Sequence, residues 1–125
     1  MDSGKVFKLS VNDPAKAMSF LTANLGFTTL RDNTDDFGNR ECLLKDKEGN
    51  NYMLAKIIYR NIYNNNDVIN IISTSDCLKD YFYLNSSGVK FEGQPEYADD
   101  ALIVRIVDNW GNKYVLMERR NCDDN

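Results

Sequence analysis

The sequence contains no histidine. This single absence removes the Ser-His and Cys-His nucleophile pairs, imidazole acid–base chemistry and every imidazole metal ligand. Cysteine is scarce. Cys42, Cys77 and Cys122 are an odd number without C-x-x-C spacing, which argues against a disulfide framework or a thiolate zinc site. Long apolar runs are missing too, and nothing approaches the roughly 20 apolar residues of a membrane span. The opening Met1-Asp2-Ser3-Gly4-Lys5 lacks the apolar core of a signal peptide, so the expected location is cytoplasmic and the Asn85-Ser86-Ser87 sequon idle. Basic residues do not dominate: the net charge is −4 and the pI about 4.8. No Lys/Arg cluster offers the basic face a nucleic-acid binder needs. The acidity is compatible with a cationic small molecule.

What is present fits one domain. A chain of 125 residues, 42% hydrophobic and 27% charged, has ordinary globular composition. A chain this long buries roughly two-thirds of its unfolded surface. The informative feature is a phrase that occurs twice. Asp46-Lys47-Glu48-Gly49-Asn50-Asn51-Tyr52-Met53-Leu54 returns as Asp108-Asn109-Trp110-Gly111-Asn112-Lys113-Tyr114-Val115-Leu116, an offset of 62 (111 minus 49). Upstream, Asp13 opens an apolar helical stretch ending at Gly26, and Asp76 opens another ending at Gly88, with offsets of 63 (76 minus 13) and 62 (88 minus 26). Four landmarks in one order at one spacing describe two copies of a module of about 60 residues.

Local signals fill in each module. Phe7, Leu9 and Val11 alternate with Val6, Lys8 and Ser10, which predicts a strand. Asp13-Pro14 reads as a helix N-cap with proline in the first turn, followed by an apolar face of Met18, Leu21 and Leu25. Strands are predicted over 27–31, 40–45 and 51–57. The second module repeats the order, with a strand over 68–73, a helix whose apolar side carries Leu78, Tyr81 and Leu84, a brief strand over 89–91, a loop over 94–100, and strands over 101–107 and 113–118. The Asn-rich stretch 61–67 is the natural linker. The order is βαβββ, twice, in a single domain spanning 1–125 with modules at about 5–60 and 66–120.

These residues resemble the vicinal oxygen chelate superfamily, which includes glyoxalases, extradiol dioxygenases, fosfomycin-resistance enzymes and bleomycin-resistance proteins. The resemblance is carried by Phe7-x-Leu9-x-Val11-x-Asp13, Phe20, Leu25-Gly26-Phe27 and Asp46-x-x-Gly49-Asn50. In the second half Asp76, Leu84, Gly88-Val89-x-Phe91 and Asp108-x-x-Gly111-Asn112 carry it. It implies an α+β fold in which two tandem βαβββ modules form a cup-shaped, mostly antiparallel sheet with helices outside. In metal-dependent members one ligand lies seven residues before the helix-capping Asp and another four after the turn Gly. Those positions are Val6 and Ile69 (13 and 76 minus 7) and Met53 and Val115 (49 and 111 plus 4). None supplies a nitrogen or oxygen donor, so the resemblance implies a metal-free, cofactor-free member. The known type for that is the bleomycin-resistance protein, a small homodimer that sequesters its ligand.

Alternation and the repeat assign an inward face with Val6, Lys8, Glu41, Met53, Arg105, Lys113 and Val115, to which the resemblance adds Ile69, giving an apolar floor with a few polar groups that suits a small organic ligand. Tyr97 and Trp110 are candidate stacking surfaces, and Trp110 is equally a dimer anchor. Bland readings stand beside these. Arg105 pairs with Glu41; Lys8 and Lys113 are solvated; Val6, Met53, Ile69 and Val115 are simply core. Cys42 is expected in the core, and Cys77, at a helix start, has an expected lowered thiol pKa. Tyr59, Ile62 and Tyr63 are expected at a dimer contact. Two further functions remain open: an enzyme of the superfamily (lyase, isomerase or dioxygenase type) working without a His-ligated metal, and a structural or regulatory module whose cup is filled.

Overall fold

The computed structural model describes residues 5–38, 40–57 and 68–120. The stretch 61–67, the tail 121–125 and Tyr59, Ile62 and Tyr63 lie outside them. The chain divides into two compact units, Met1–Val68 and Ile69–Asn125.

In the first unit the elements are β1 (Val6–Val11), α1 (Pro14–Asn24), β2 (Thr28–Thr34), β3 (Arg40–Lys45) and β4 (Asn51–Lys56). The sheet order is β1-β4-β3-β2. β1 runs parallel to β4, and the other pairs are antiparallel. Leu9, Val11, Cys42, Leu44, Tyr52 and Leu54 alternate onto one face and are buried. α1 covers that face with Ala17, Phe20 and Leu21. The predicted helical face is therefore rotated: Met18 and Leu25 lie beside it, only half-buried. Asp13 caps α1, its Oδ1 accepting from the N–H groups of Ala15 (3.1 Å) and Lys16 (3.3 Å). Such a cap contributes about 1 kcal/mol. β2 runs three residues past its predicted end, with a bulge at Leu30 between Thr29 and Arg31. The Asp32 carboxylate, paired to Arg40 at 2.8 and 2.7 Å, ties the extension to β3.

In the second unit the elements are β5 (Ile69–Ser73), α2 (Cys77–Ser86), β6 (Lys90–Phe91), β7 (Glu96–Ala98), β8 (Ala101–Val107) and β9 (Lys113–Arg119). The order is β5-β9-β8-β6, with β7 also paired to β8. β7 replaces part of the predicted loop 94–100. The short β6 and β7 together occupy the flank that β2 holds in the first unit. Ile72, Leu102, Val104, Ile106, Tyr114 and Leu116 form the buried face. α2 meets it with Cys77, Asp80 and Leu84, while Leu78 is 40% exposed, so the predicted apolar side of this helix is displaced. Two carboxylates cap α2. Asp76 Oδ1 accepts from the Lys79 N–H, and Glu118 of β9 reaches across to accept from the Cys77 N–H at 2.9 Å.

The repeated phrase closes the last hairpin of each unit. Asp46 Oδ1 accepts from the N–H groups of Glu48 (2.9 Å) and Asn50 (2.8 Å), and Oδ2 accepts from Asn50 Nδ2. Asp108 does the same with Trp110 and Asn112, both at 2.9 Å, and with Asn112 Nδ2 at 2.8 Å. The glycines at 49 and 111 have φ of +93° and +89°, a left-handed conformation that a side chain would strain. The motif is thus a structural clasp: carboxylate, turn glycine and amide side chain together satisfy the donors of a tight turn.

The second clasp carries one more bond, from Tyr114 Oη to Asp108 Oδ2 at 3.0 Å. Burial, and then the neighbouring Asp108 charge, push the Tyr114 phenol far above its ordinary value. Tyr114→Phe is expected to lower stability by about 1.5–3 kcal/mol, the range for a hydrogen bond to a charged group. The wild type is expected to lose stability as pH rises above about 10, where an unfolded tyrosine ionises and the folded one does not. Denaturant unfolding of both proteins between pH 7 and 11 checks this, since only the wild type should show the tyrosine-linked alkaline loss.

Candidate functional site

The face of each sheet away from its helix carries the candidate residues. Cross-strand register sets out its rows. In the first unit Val6 lies beside Asn51 and Lys45, Lys8 beside Met53 and Leu43, and Ser10 beside Ala55. β2 continues these rows with Thr28 beside Lys45 and Arg31 beside Leu43. Val6, Lys8, Glu41 and Met53 therefore share one open face, as alternation predicts. Val6 is 48% exposed although it is aliphatic.

In the second unit Ile69 lies beside Lys113, Ile71 beside Val115, and Ser73 beside Met117. β8 extends the rows, with Val107 beside Lys113, Arg105 beside Val115 and Ile103 beside Met117. Ala101, Ile103 and Val115 form a small buried cluster, with Ala98 and Met117 against it. Ile69 and Ile71 on the edge strand stand 53% and 54% exposed. The equivalence implied by the repeat holds at the level of register: Leu43 faces Met53 as Arg105 faces Val115.

The charges on this second face are engaged by residues that sequence reasoning missed. The partner found for Arg105 lies in its own unit and is Glu96, not the expected Glu41: Arg105 Nη2 lies 3.0 Å from Glu96 Oε2. Lys113 Nζ lies 3.5 Å from Glu92 Oε2. The hydrogen bond from Arg105, and then its charge, hold the Glu96 carboxyl below its ordinary value, and the same bond to Glu96 raises Arg105. Both acids sit on the β6–β7 segment, whose short strands gave only a weak sequence signal. Tyr97 falls on the other face. It pairs with Leu102 and lies under the Arg120 guanidinium, 5.5 Å from the ring centroid, so it is not beside Arg105 and Val115. Trp110 is at the tip of the β8–β9 turn and 37% exposed.

The donor set does not fit a divalent cation. Val6, Ile69 and Val115 offer no donor atom and Met53 only a thioether, whereas hard divalent ions take oxygen ligands and zinc takes imidazole, thiolate or carboxylate. Among the described residues no group of three or more His, Cys, Asp or Glu side chains comes together. No helix among them is long and apolar enough to cross a membrane.

The two described thiols are equally unsuited to chemistry. Cys42 and Cys77 are fully buried. Burial raises the Cys42 thiol above its ordinary value. For Cys77, burial and then the nearby Glu118 carboxylate push the thiol up to about 11, the opposite of the lowering expected at a helix start. The Glu118 carboxylate already takes the Cys77 backbone N–H, so the helix terminus does not stabilise a thiolate.

No protein-family profile and no curated protein matches the chain in sequence. Solved structures do match. A member of the glyoxalase/bleomycin resistance protein/dioxygenase superfamily from Sphaerobacter thermophilus shares 22% identity, covers 95% of this chain and 98% of its own, and gives a TM-score of 0.72. TnmS3, an antibiotic binding protein from Streptomyces sp. CB03234, matches at 22% identity over 95% and 97% with a TM-score of 0.70. A glyoxalase/bleomycin resistance protein from the same Streptomyces matches at 23% over 91% and 98% with a TM-score of 0.67. The fold is that of the vicinal oxygen chelate superfamily.

Native protein treated with iodoacetamide at pH 8 is expected to leave Cys42 and Cys77 unmodified, and urea-unfolded protein to label both. Peptide mass mapping reads this directly, and rapid native labelling of Cys77 would show that its thiol is not held as described.

Proposed function

We propose that this protein binds or sequesters a small organic molecule on the open sheet faces, without a metal and without altering its ligand, and that it works as a homodimer. The observation that supports this most is the exposure of aliphatic side chains where metal-dependent members of the superfamily carry ligands. Val6 and Ile69 are each about half exposed, and Ile71 lies beside Val115. Covering the exposed half of such a side chain contributes about 1 kcal/mol. Ile69 and Ile71, both on the open face of β5, together give about 2 kcal/mol, roughly thirtyfold in affinity. The polar groups on each face, Lys8 and Glu41 on the first sheet and Arg105 and Lys113 on the second, would set a ligand's orientation. The structural likeness to an antibiotic binding protein supports the same reading. Trp110 is proposed as an aromatic contact to the ligand or the second subunit.

Because Ile71 is half exposed, Ile71→Asp is expected to cost little stability, about 1 kcal/mol or less, and to leave the melting temperature within about 4 °C of wild type. Thermal-shift screening against natural-product antibiotics should yield a compound that raises the wild-type midpoint by mass action. The variant should lose that shift. Mass spectrometry of the compound after incubation should find it unchanged; a converted product would replace binding with catalysis.

A further inference from the structure

Building on that reading, which supplies the small-molecule site, we infer that the open face of the second sheet takes an amphiphilic organic anion. The ligand's apolar body lies over Ile69, Ile71 and Val115, and its carboxylate, sulfonate or phosphate binds Arg105 in place of Glu96.

Three observations carry this. First, the face is mixed. Ile69 and Ile71 stand half exposed on β5 beside Lys113 and Val115 of β9, and Arg105 of β8 lies across from Val115 on the same face. A ligand that covers β5 and reaches Arg105 must itself carry an apolar part and a polar part. Second, the sign of the charge is against the rest of the molecule. Among the described residues, Lys90, Arg105, Lys113 and Arg119 share this face with Glu92 and Glu96 as its carboxylates. Four cations against two carboxylates leave it positive, although the whole chain carries −4. The open face of the first sheet has the same sign, with Lys8, Arg31 and Lys45 against Glu41. Third, the partners of Arg105 and Lys113 are exchangeable. Arg105 and Glu96 are 39% and 49% exposed, and Lys113 and Glu92 are 35% and 43% exposed. Exposed pairs of this kind contribute little to stability. A guanidinium offers a planar fork that matches a carboxylate or sulfonate, so an incoming anion replaces Glu96 with the same geometry. Glu96 is then a place-holder that keeps Arg105 extended over the sheet until ligand arrives. A cationic ligand, compatible with the chain's acidity, would instead meet an excess of like charge here.

Two fluorescent probes that share an apolar body test the inference: anilinonaphthalene sulfonate, which carries the anion, and phenyl-naphthylamine, which lacks it. Titration of natively folded wild-type protein should give tighter binding of the sulfonate. Arg105→Gln should weaken the sulfonate about tenfold, the effect of losing one hydrogen bond to a charged group, and leave the neutral probe unchanged. Glu96→Gln should tighten the sulfonate severalfold, which a purely structural role for the pair does not produce. If either variant fails to fold, the wild type alone still decides. Sulfonate affinity must fall between low and high salt while that of the neutral probe does not. Equal affinity for both probes without salt dependence would overturn the anion inference and leave small-molecule binding standing. Tighter binding of a cationic dye such as acridine orange would also overturn it. Binding of none of the three would count against the open face as a binding surface altogether.

Discussion

The carboxylates of Asp46 and Asp108 are the constraint on which the sheets depend. Each gathers two backbone N–H groups and the amide of an asparagine four residues on, and so fixes where a hairpin turns. A hairpin that turned one residue earlier or later would exchange the two faces of the following strand. Tyr52 and Leu54, or Tyr114 and Leu116, would then meet water while Met53 or Val115 entered the core. The clasp keeps Leu43 opposite Met53 and Arg105 opposite Val115, and every assignment of the open faces follows from those registers. The duplicated phrase is therefore a device for register, not a site of chemistry.

With register fixed, the consequences of the missing histidines become local. Four equivalent positions that could present metal ligands present aliphatic or thioether side chains instead. What is left on each open face is a mixture of apolar side chains and charges. In the second unit these charges are arranged in pairs, Arg105 with Glu96 and Lys113 with Glu92, so the face stays satisfied and soluble. Both capped helices and both closed hairpins lie away from these faces. The stability of the units and the composition of the open faces can therefore vary independently, which suits a fold that serves unrelated ligands.

Much of this is legible in the sequence, for identifiable reasons. Asp13, Asp76, Gly49 and Gly111 mark caps and turns whose physics is local, so a single chain reveals them. Strict alternation in 6–11 and 40–45 gives the faces of β1 and β3 without error. What escaped had non-local causes. β7 is three residues long and exists because β8 offers it an edge to pair with. Its face decides that Glu96, and not Tyr97, lies beside Arg105. Charge alone points to Glu41 as a partner for Arg105, but the pairing of β7 with β8 supplies Glu96 from the same sheet. The Cys77 thiol looked activated because it follows a helix cap. Glu118, 41 residues away in sequence, takes the N–H that would have stabilised a thiolate. On α2 the spacing of Leu78, Tyr81 and Leu84 marks a helix, but the stripe that packs is Cys77, Asp80 and Leu84, because it is set by how the sheet meets the helix.

The central claim is that the open faces hold a small organic molecule without a metal. Native mass spectrometry of untagged protein purified from its own host tests it most directly, because oligomer mass, metal and retained ligand appear in one spectrum. The account predicts a dimer whose excess mass is organic and is lost on gentle activation, with no metal bound. A stoichiometric zinc, iron, manganese or nickel ion would contradict it, and would show that Val6, Met53, Ile69 and Val115 do not occupy the ligand positions of the fold.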